Sequence, residues 1–278
     1  MKKLFILFIS FLPLHAVLAQ EDTILTELIK IEGDIVDFTV DNLGNLYTLD
    51  KNDQLKKLSA QGDSIAVFND VKHYGKVGEI DAANPLKVLL YYQDFGTILV
   101  LDKFLNVRNR IDIRKQGIFQ ARAIAQSFDN GIWIYDEREA RLKRISDDGA
   151  LIDQSSDFRQ IMDTAISPVQ MMDQDRLIYL YDPAQGLFVF DYFGTLKNRI
   201  ALLDWQDFQV MGPAIFGRKG TVLERYQLNS LALKELELGD KLQGAEKIKI
   251  AMNYLYCLKK GTITIYTYMR GKVNVTAN

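Results

Sequence analysis

The sequence offers few groups that could do chemistry unaided. Its histidines are His15 and His73, and its one cysteine is Cys257. A hydrolytic triad needs a histidine held between a nucleophile and a carboxylate, and a zinc site needs several nitrogen or sulfur ligands. His73, in "DVKHYGKVGE", has no such partner at motif spacing and reads as a loop histidine bonded to a neighbour. Cys257 lies between Tyr256 and Leu258 in an apolar run, which suits a small buried side chain better than a nucleophile lacking a base. Carboxylates come in pairs, Asp147 with Asp148 and Asp173 with Asp175, in turn-like contexts where they cap nearby backbone N–H groups. "GRKGT" (217–221) has neither the spacing nor the following helix of a phosphate loop.

Binding chemistry is better represented. Phe95, Phe104 and the pair Tyr192-Phe193 fall in turn contexts, and Trp205 falls in the connection "DWQDF". Turns are normally polar, so a cluster of exposed aromatics there marks a binding surface. The competing reading folds Phe104 and Phe193 back against a neighbouring element. The basic runs "RNRIDIRK" (108–115), with Arg108 and Arg110, and "LKNRI" (196–200) read as charged outer strands that discourage edge pairing. The sharper alternative makes them a docking stripe for an acidic partner.

The elements that carry these residues repeat. "LDKFLNVRNRI" (101–111) and "FDYFGTLKNRI" (190–200) share Asp102 with Asp191, Phe104 with Phe193, and Asn109-Arg110-Ile111 with Asn198-Arg199-Ile200. "KKLSAQGDSIAVF" and "KRISDDGALIDQS" extend the register, making Leu58, Leu101, Ile145 and Phe190 equivalent. A strand-rich period of ~40–50 residues is a propeller signature. Short apolar runs ending in Asp, "NLYTLD" (45–50), "GIWIYD" (131–136) and "RLIYLYD" (176–182), each precede a polar turn and a second strand. Gly62, Gly149 and Gly194 then supply the positive φ of a hairpin bulge. Leu105 occupies the same place in the second unit, and Asn106 is expected to carry that turn instead. Third outer strands are expected to end near Phe68, Ile113, Asp153 and Leu203.

Residues 213–238 and 247–269 give two more degenerate units, the last without an outermost strand. "TILTELIKI" (23–31) precedes the first unit and has nothing else to pair with. The expected fold is therefore all-β: a six-bladed β-propeller of four-stranded antiparallel blades, the N-terminal strand closing the last blade. Ahead of it, Lys2 and Lys3, the apolar run Leu4 to Leu12 and Val17-Leu18-Ala19 spell a signal peptide (1–19) cleaved after Ala19, leaving 20–278 as one domain. The apolar run is too short for a membrane helix, so no membrane insertion of the mature chain is expected. Loss of the two lysines moves the formal charge from -2 to about -4, which argues against a nucleic-acid partner. With one cysteine, an exported chain forms no internal disulfide and must stand on its core.

Through Asp41, Gly44, Leu46, Tyr47, Leu49 and Asp50, a D-x-x-G-x-L-Y-x-L-D opening, the chain resembles six-bladed propellers of the NHL and TolB-like class, particularly secreted bacterial ones. That class includes lactonase-like hydrolases holding calcium in the central tunnel, so the resemblance implies calcium as the one cofactor to test for. No complete set of oxygen ligands is assignable here, and the expectation is no cofactor. It also includes accessories of cell-envelope machinery such as type IX secretion and gliding complexes. The function expected is a non-enzymatic interaction scaffold of the cell envelope, periplasmic or surface-associated and peripheral to an outer-membrane complex, binding a protein partner. A calcium-dependent lactonase or esterase, and a glycan-binding propeller, are the alternatives.

Overall fold

The computed structural model describes residues 25–69, 74–162 and 164–268; the expected signal peptide and His73 lie outside these residues. Strands form six separate four-stranded antiparallel sheets. The chain is a six-bladed β-propeller. Blade one is β2 (Ile35–Val40), β3 (Leu46–Asp50), β4 (Leu55–Leu58) and β5 (Ser64–Phe68). Blade two is β6 (Glu79–Asn84), β7 (Lys87–Tyr92), β8 (Thr97–Asp102) and β9 (Val107–Asp112). Blade three is β10 (Ala121–Gln126), β11 (Ile132–Asp136), β12 (Arg141–Ile145) and β13 (Leu151–Gln154). Blade four is β14 (Gln170–Gln174), β15 (Leu177–Asp182), β16 (Gly186–Asp191) and β17 (Leu196–Ile200). Blade five is β18 (Gln206–Met211), β19 (Ala214–Lys219), β20 (Val222–Gln227) and β21 (Ala232–Glu237). Blade six is β22 (Lys247–Ala251), β23 (Tyr254–Lys259) and β24 (Thr262–Tyr268), completed by β1 (Leu25–Ile31) from the other end of the chain.

That last pairing runs antiparallel from Leu25 opposite Tyr268 to Ile31 opposite Ile263, as the unpaired N-terminal strand requires. It ties blade six to the start of the chain, so the ring closes by hydrogen bonds rather than by packing alone. The equivalent positions read from the repeat also hold. Leu58, Leu101, Ile145 and Phe190 are buried, and each sits beside a register shift in the outer hairpin of its blade.

Six apolar clusters fill the six seams between blades. Tyr47, Leu49 and Leu55 of blade one pack on Val88, Leu90 and Leu99 of blade two, and the other seams repeat the pattern. The middle strands are therefore buried on both faces, which is why β7 and β15 read as near-continuous apolar runs rather than alternating ones. Cys257 is buried in the seam between blades five and six.

Three local expectations change. Leu105 itself takes the left-handed conformation, with φ 63°. Its side chain is buried in the seam between blades one and two, and that burial offsets the roughly 1–2 kcal/mol of backbone strain. Asn106 instead gives its N–H and side-chain amide to Asp102. The outer strand of blade four stops at Ile200, short of Leu203, where Leu202 N–H turns back to the Ile200 carbonyl at 2.8 Å. Trp205 does not sit on the surface. Asp204, at φ 59°, aims the chain so that the indole lies over Gly217 and is 3% exposed.

A Cβ at Gly217 would come within 2.1 Å of the Trp205 ring. Gly217→Ala should therefore cost roughly 1–3 kcal/mol by overpacking, read as a shift in the urea midpoint. Removing residues 25–31 should lower Tm and promote association through the freed β24 edge, seen by melting and size-exclusion chromatography.

Candidate functional site

The innermost strand of each blade has a ladder partner on one side only. Its other edge faces the neighbouring blade and the tunnel, where side chains must meet the backbone N–H groups. Ile124 N–H donates to Glu79 Oε2 at 3.3 Å, and Gln126 N–H to Asp81 Oδ2 at 2.7 Å, both across the seam between blades two and three. Phe128 N–H donates to Asp173 Oδ2 of blade four at 3.1 Å. Ile250 N–H donates to Gln209 Oε1 at 2.8 Å, and Gln209 Nε2 returns a bond to the Ile250 carbonyl at 2.6 Å. Across the closing seam Lys247 Nζ pairs with Asp37 at 2.6 Å and Lys249 Nζ donates to Thr39 Oγ1 at 3.1 Å. The tunnel wall is thus a belt of polar residues at every second position, much of it spent on joining blades.

Several members of the belt have shifted protonation, Glu79 and Lys249 the furthest. Burial, reinforced by Asp81, pushes the Glu79 carboxyl up to about 8 from 4.5. Burial, reinforced by Lys247, pushes the Lys249 ammonium down to about 8 from 10.5. Among the described residues no group of three His, Cys, Asp or Glu side chains is arranged to hold a metal. Asp173, one of the paired carboxylates in the sequence, accepts from Phe128 N–H, Trp133 Nε1 and the Tyr192 hydroxyl and so fastens blade three to blade four.

The second feature is the face formed by the hairpins that join first to second and third to fourth strands. Antiparallel connectivity puts all of these turns at one end of the ring. Phe104 and Phe193 occupy the outer hairpin tips of blades two and four, 55% and 83% exposed. They do not fold back against a neighbouring blade. Sequence reading missed their companions. Leu43, Leu86, Phe128 and Met252 top the inner hairpins of blades one, two, three and six, and Leu231 tops the outer hairpin of blade five, all exposed. The signal was available as a lone apolar residue within a polar turn, as in "DNLGN" and "QSFDN". Met252 Sδ lies 3.3 Å from a Cβ placed on Gly44, so the tips of blades six and one adjoin.

The other proposed site residues are dispersed. Tyr192 is half-buried, its hydroxyl on Asp173 and its ring edge-on to Trp133 at 5.2 Å, so it seals a seam. Phe95 lies in a turn of 3-10 helix, Gln93–Phe95, on the opposite face. Arg108 and Arg110 are exposed on outer strand β9, with Arg110 stacked 4.8 Å from the Tyr74 ring centre. Trp205 is a correction: its N–H groups are occupied by the Tyr181 hydroxyl and Glu224 Oε2, each at 2.5 Å, and it has no surface to offer a partner.

No family model matches the chain, and no curated protein matches its sequence. Its fold is shared by many solved structures. Virginiamycin B lyase from Staphylococcus aureus is 12% identical, with 84% of this chain and 80% of that one covered at a TM-score of 0.58. The WD40 domain of Neurospora crassa Pan2 is 9% identical over 91% and 98%, with a TM-score of 0.64. BamB from Moraxella catarrhalis is 11% identical over 90% and 99%, with a TM-score of 0.50. At these identities the likeness establishes architecture and nothing of activity.

Glu79 makes the tunnel pH-sensitive. Between pH 4.5 and 8 the folded chain keeps a proton that the unfolded chain has lost, so its stabilising contribution is full at low pH and gone above about 8. Lys249 acts later: stability rises with pH between 8 and 10.5. From pH 5 to 7.5, Glu79→Gln should therefore lose less stability than the wild type, by up to about 1.4 kcal/mol per pH unit. Urea titrations along that series measure the difference, and parallel slopes would show that Glu79 is ionised throughout.

Proposed function

We propose that this chain is a non-enzymatic interaction scaffold of the cell envelope that presents its hairpin-tip face to a protein partner. The observation that carries the reading is the set of large apolar side chains, Phe104, Phe128 and Phe193 foremost, standing out of turns at one end of a rigid ring. Exposed apolar residues at turn tips gain nothing for the fold, whereas buried aromatics are the usual anchors of an interface. The opposite face also shows Phe95, Phe119 and Leu203, but along connections between or within blades rather than at a series of hairpin tips. The signal-peptide pattern supports export to the periplasm or cell surface, and the placement beside an outer-membrane or secretion-associated assembly rests on the resemblance to secreted bacterial propellers.

A calcium-dependent hydrolase is less well supported, because the tunnel carboxylates Asp37, Glu79 and Asp81 are engaged with lysine or backbone N–H groups. Glycan binding through tip aromatics remains a distinct outcome that a glycan array reads directly.

The test is differential capture from gently solubilised envelopes of the source cells. Wild-type protein should retain a partner that the Phe128→Ser, Phe193→Ser double variant loses, while Phe95→Ser on the other face retains it. Both variants should stay within about 0.5 kcal/mol of wild-type stability, since exposed sites contribute little. Recovery of the chain alone, or capture unaffected by the tip substitutions, would overturn the proposal.

A further inference from the structure

At the end of the tunnel remote from the hairpin tips, the starts of the six innermost strands line an open cavity of about 300 Å³. Its charges do not cancel. Asp37 is matched by Lys247 at 2.6 Å, and Asp207 by Arg218 at 2.7 Å. Two cations remain. Lys249, half-buried, has three N–H groups on Nζ and one hydrogen bond, to Thr39 Oγ1 at 3.1 Å. Arg122, on β10, lines the same cavity and makes no hydrogen bond or ion pair among the described residues. Glu79 faces them with one oxygen on Ile124 N–H, in surroundings where burial and Asp81 favour its neutral acid. Asp81 lies beyond, with Oδ1 on Gln126 Nε2 at 3.1 Å and Oδ2 on Gln126 N–H at 2.7 Å.

A half-buried ammonium with free donors and, on the opposite wall of the cavity, a guanidinium without a hydrogen bond leave donors here that no protein acceptor takes up. Donors held in place and otherwise left to water are available to an anion that can replace that water with charge-assisted hydrogen bonds. We propose that this cavity binds a small organic carboxylate, with Lys249 and Arg122 as its counter-charges. A planar two-oxygen anion suits the fork of Arg122, and the amides of Gln93 and Gln170, also in the wall, can hold its far end. The volume accommodates a dicarboxylate of succinate size, at the small end of ligand pockets. This site is independent of the hairpin-tip face and would stand if that face proved inert.

Isothermal titration of the purified chain with succinate, benzoate and inorganic phosphate tests it. Succinate should bind with one site per chain, at least tenfold more weakly in Lys249→Gln and in Arg122→Gln. Affinity should fall as pH rises from 7 to 9, because Lys249 must carry its proton. Phe193→Ser should bind as wild type does. Arg122 is exposed at the rim, so its variant folds even if the Lys249 variant does not, and melting curves of both identify any that fail. No heat with any probe at millimolar concentration, equal affinity in the Arg122 variant, or affinity independent of pH would overturn the proposal. Tighter binding of phosphate than of succinate would overturn the assignment to carboxylates.

Discussion

A propeller has six sheets and therefore six open inner edges, and the structure depends on how those edges are met. Each innermost strand leaves alternate N–H groups aimed away from its own blade, in a region too narrow for free solvation. Glu79, Asp81, Asp173 and Gln209 meet them from the adjacent blade, and Lys247 joins blade six to Asp37 of blade one. A bare amide left buried costs on the order of 1–3 kcal/mol, so several such bonds matter as much as a large apolar side chain. They also fix the relative height of neighbouring blades, which apolar seams alone would leave free to slide. The closure of β1 on β24 then makes the arrangement a ring rather than a stack.

This constraint assigns most of the tunnel chemistry to architecture. The tunnel carboxylates Asp37, Glu79 and Asp81 each accept from a lysine or a backbone N–H across a seam. What the belt leaves over are donors: Lys249 makes one hydrogen bond, to Thr39, and Arg122 makes none among the described residues. Rigidity has a second consequence at the other end of the ring. Hairpin tips on blades locked at fixed height present Phe104, Phe128 and Phe193 with little conformational freedom to lose, which favours binding through pre-organisation.

Much of the fold was legible because blades repeat the same local solutions. Asp102 and Asp191 each accept two backbone N–H bonds in their hairpins, from Phe104 and Asn106 and from Phe193 and Thr195, so their shared sequence reports shared turns. Leu105 was misread because propensity assigns positive φ to Asn before Leu, while the seam rewarded burying Leu105. Trp205 was misread because its pocket is made by Gly217, distant in sequence, whose missing Cβ cannot be matched to an indole without the fold. Tyr192 and Phe193 are neighbours with opposite fates, since successive residues in a turn point to different sides. The tunnel belt was written in the sequence as alternating polar residues, Asp37 and Thr39, Glu79 and Asp81, Lys247 and Lys249. Without the ring there was no reason to place those pairs together.

Amide hydrogen exchange, followed by NMR at Gln126 and Ile250, bears most directly on edge capping as the organising constraint. Both amides lie on the open side of an innermost strand and should exchange as slowly as those inside a central strand such as β8. Asp81→Ala should release Gln126 selectively while Ile250 stays protected. Exchange of both amides at the rate of exposed loops in the wild type, or no change at Gln126 when Asp81 is removed, would contradict it.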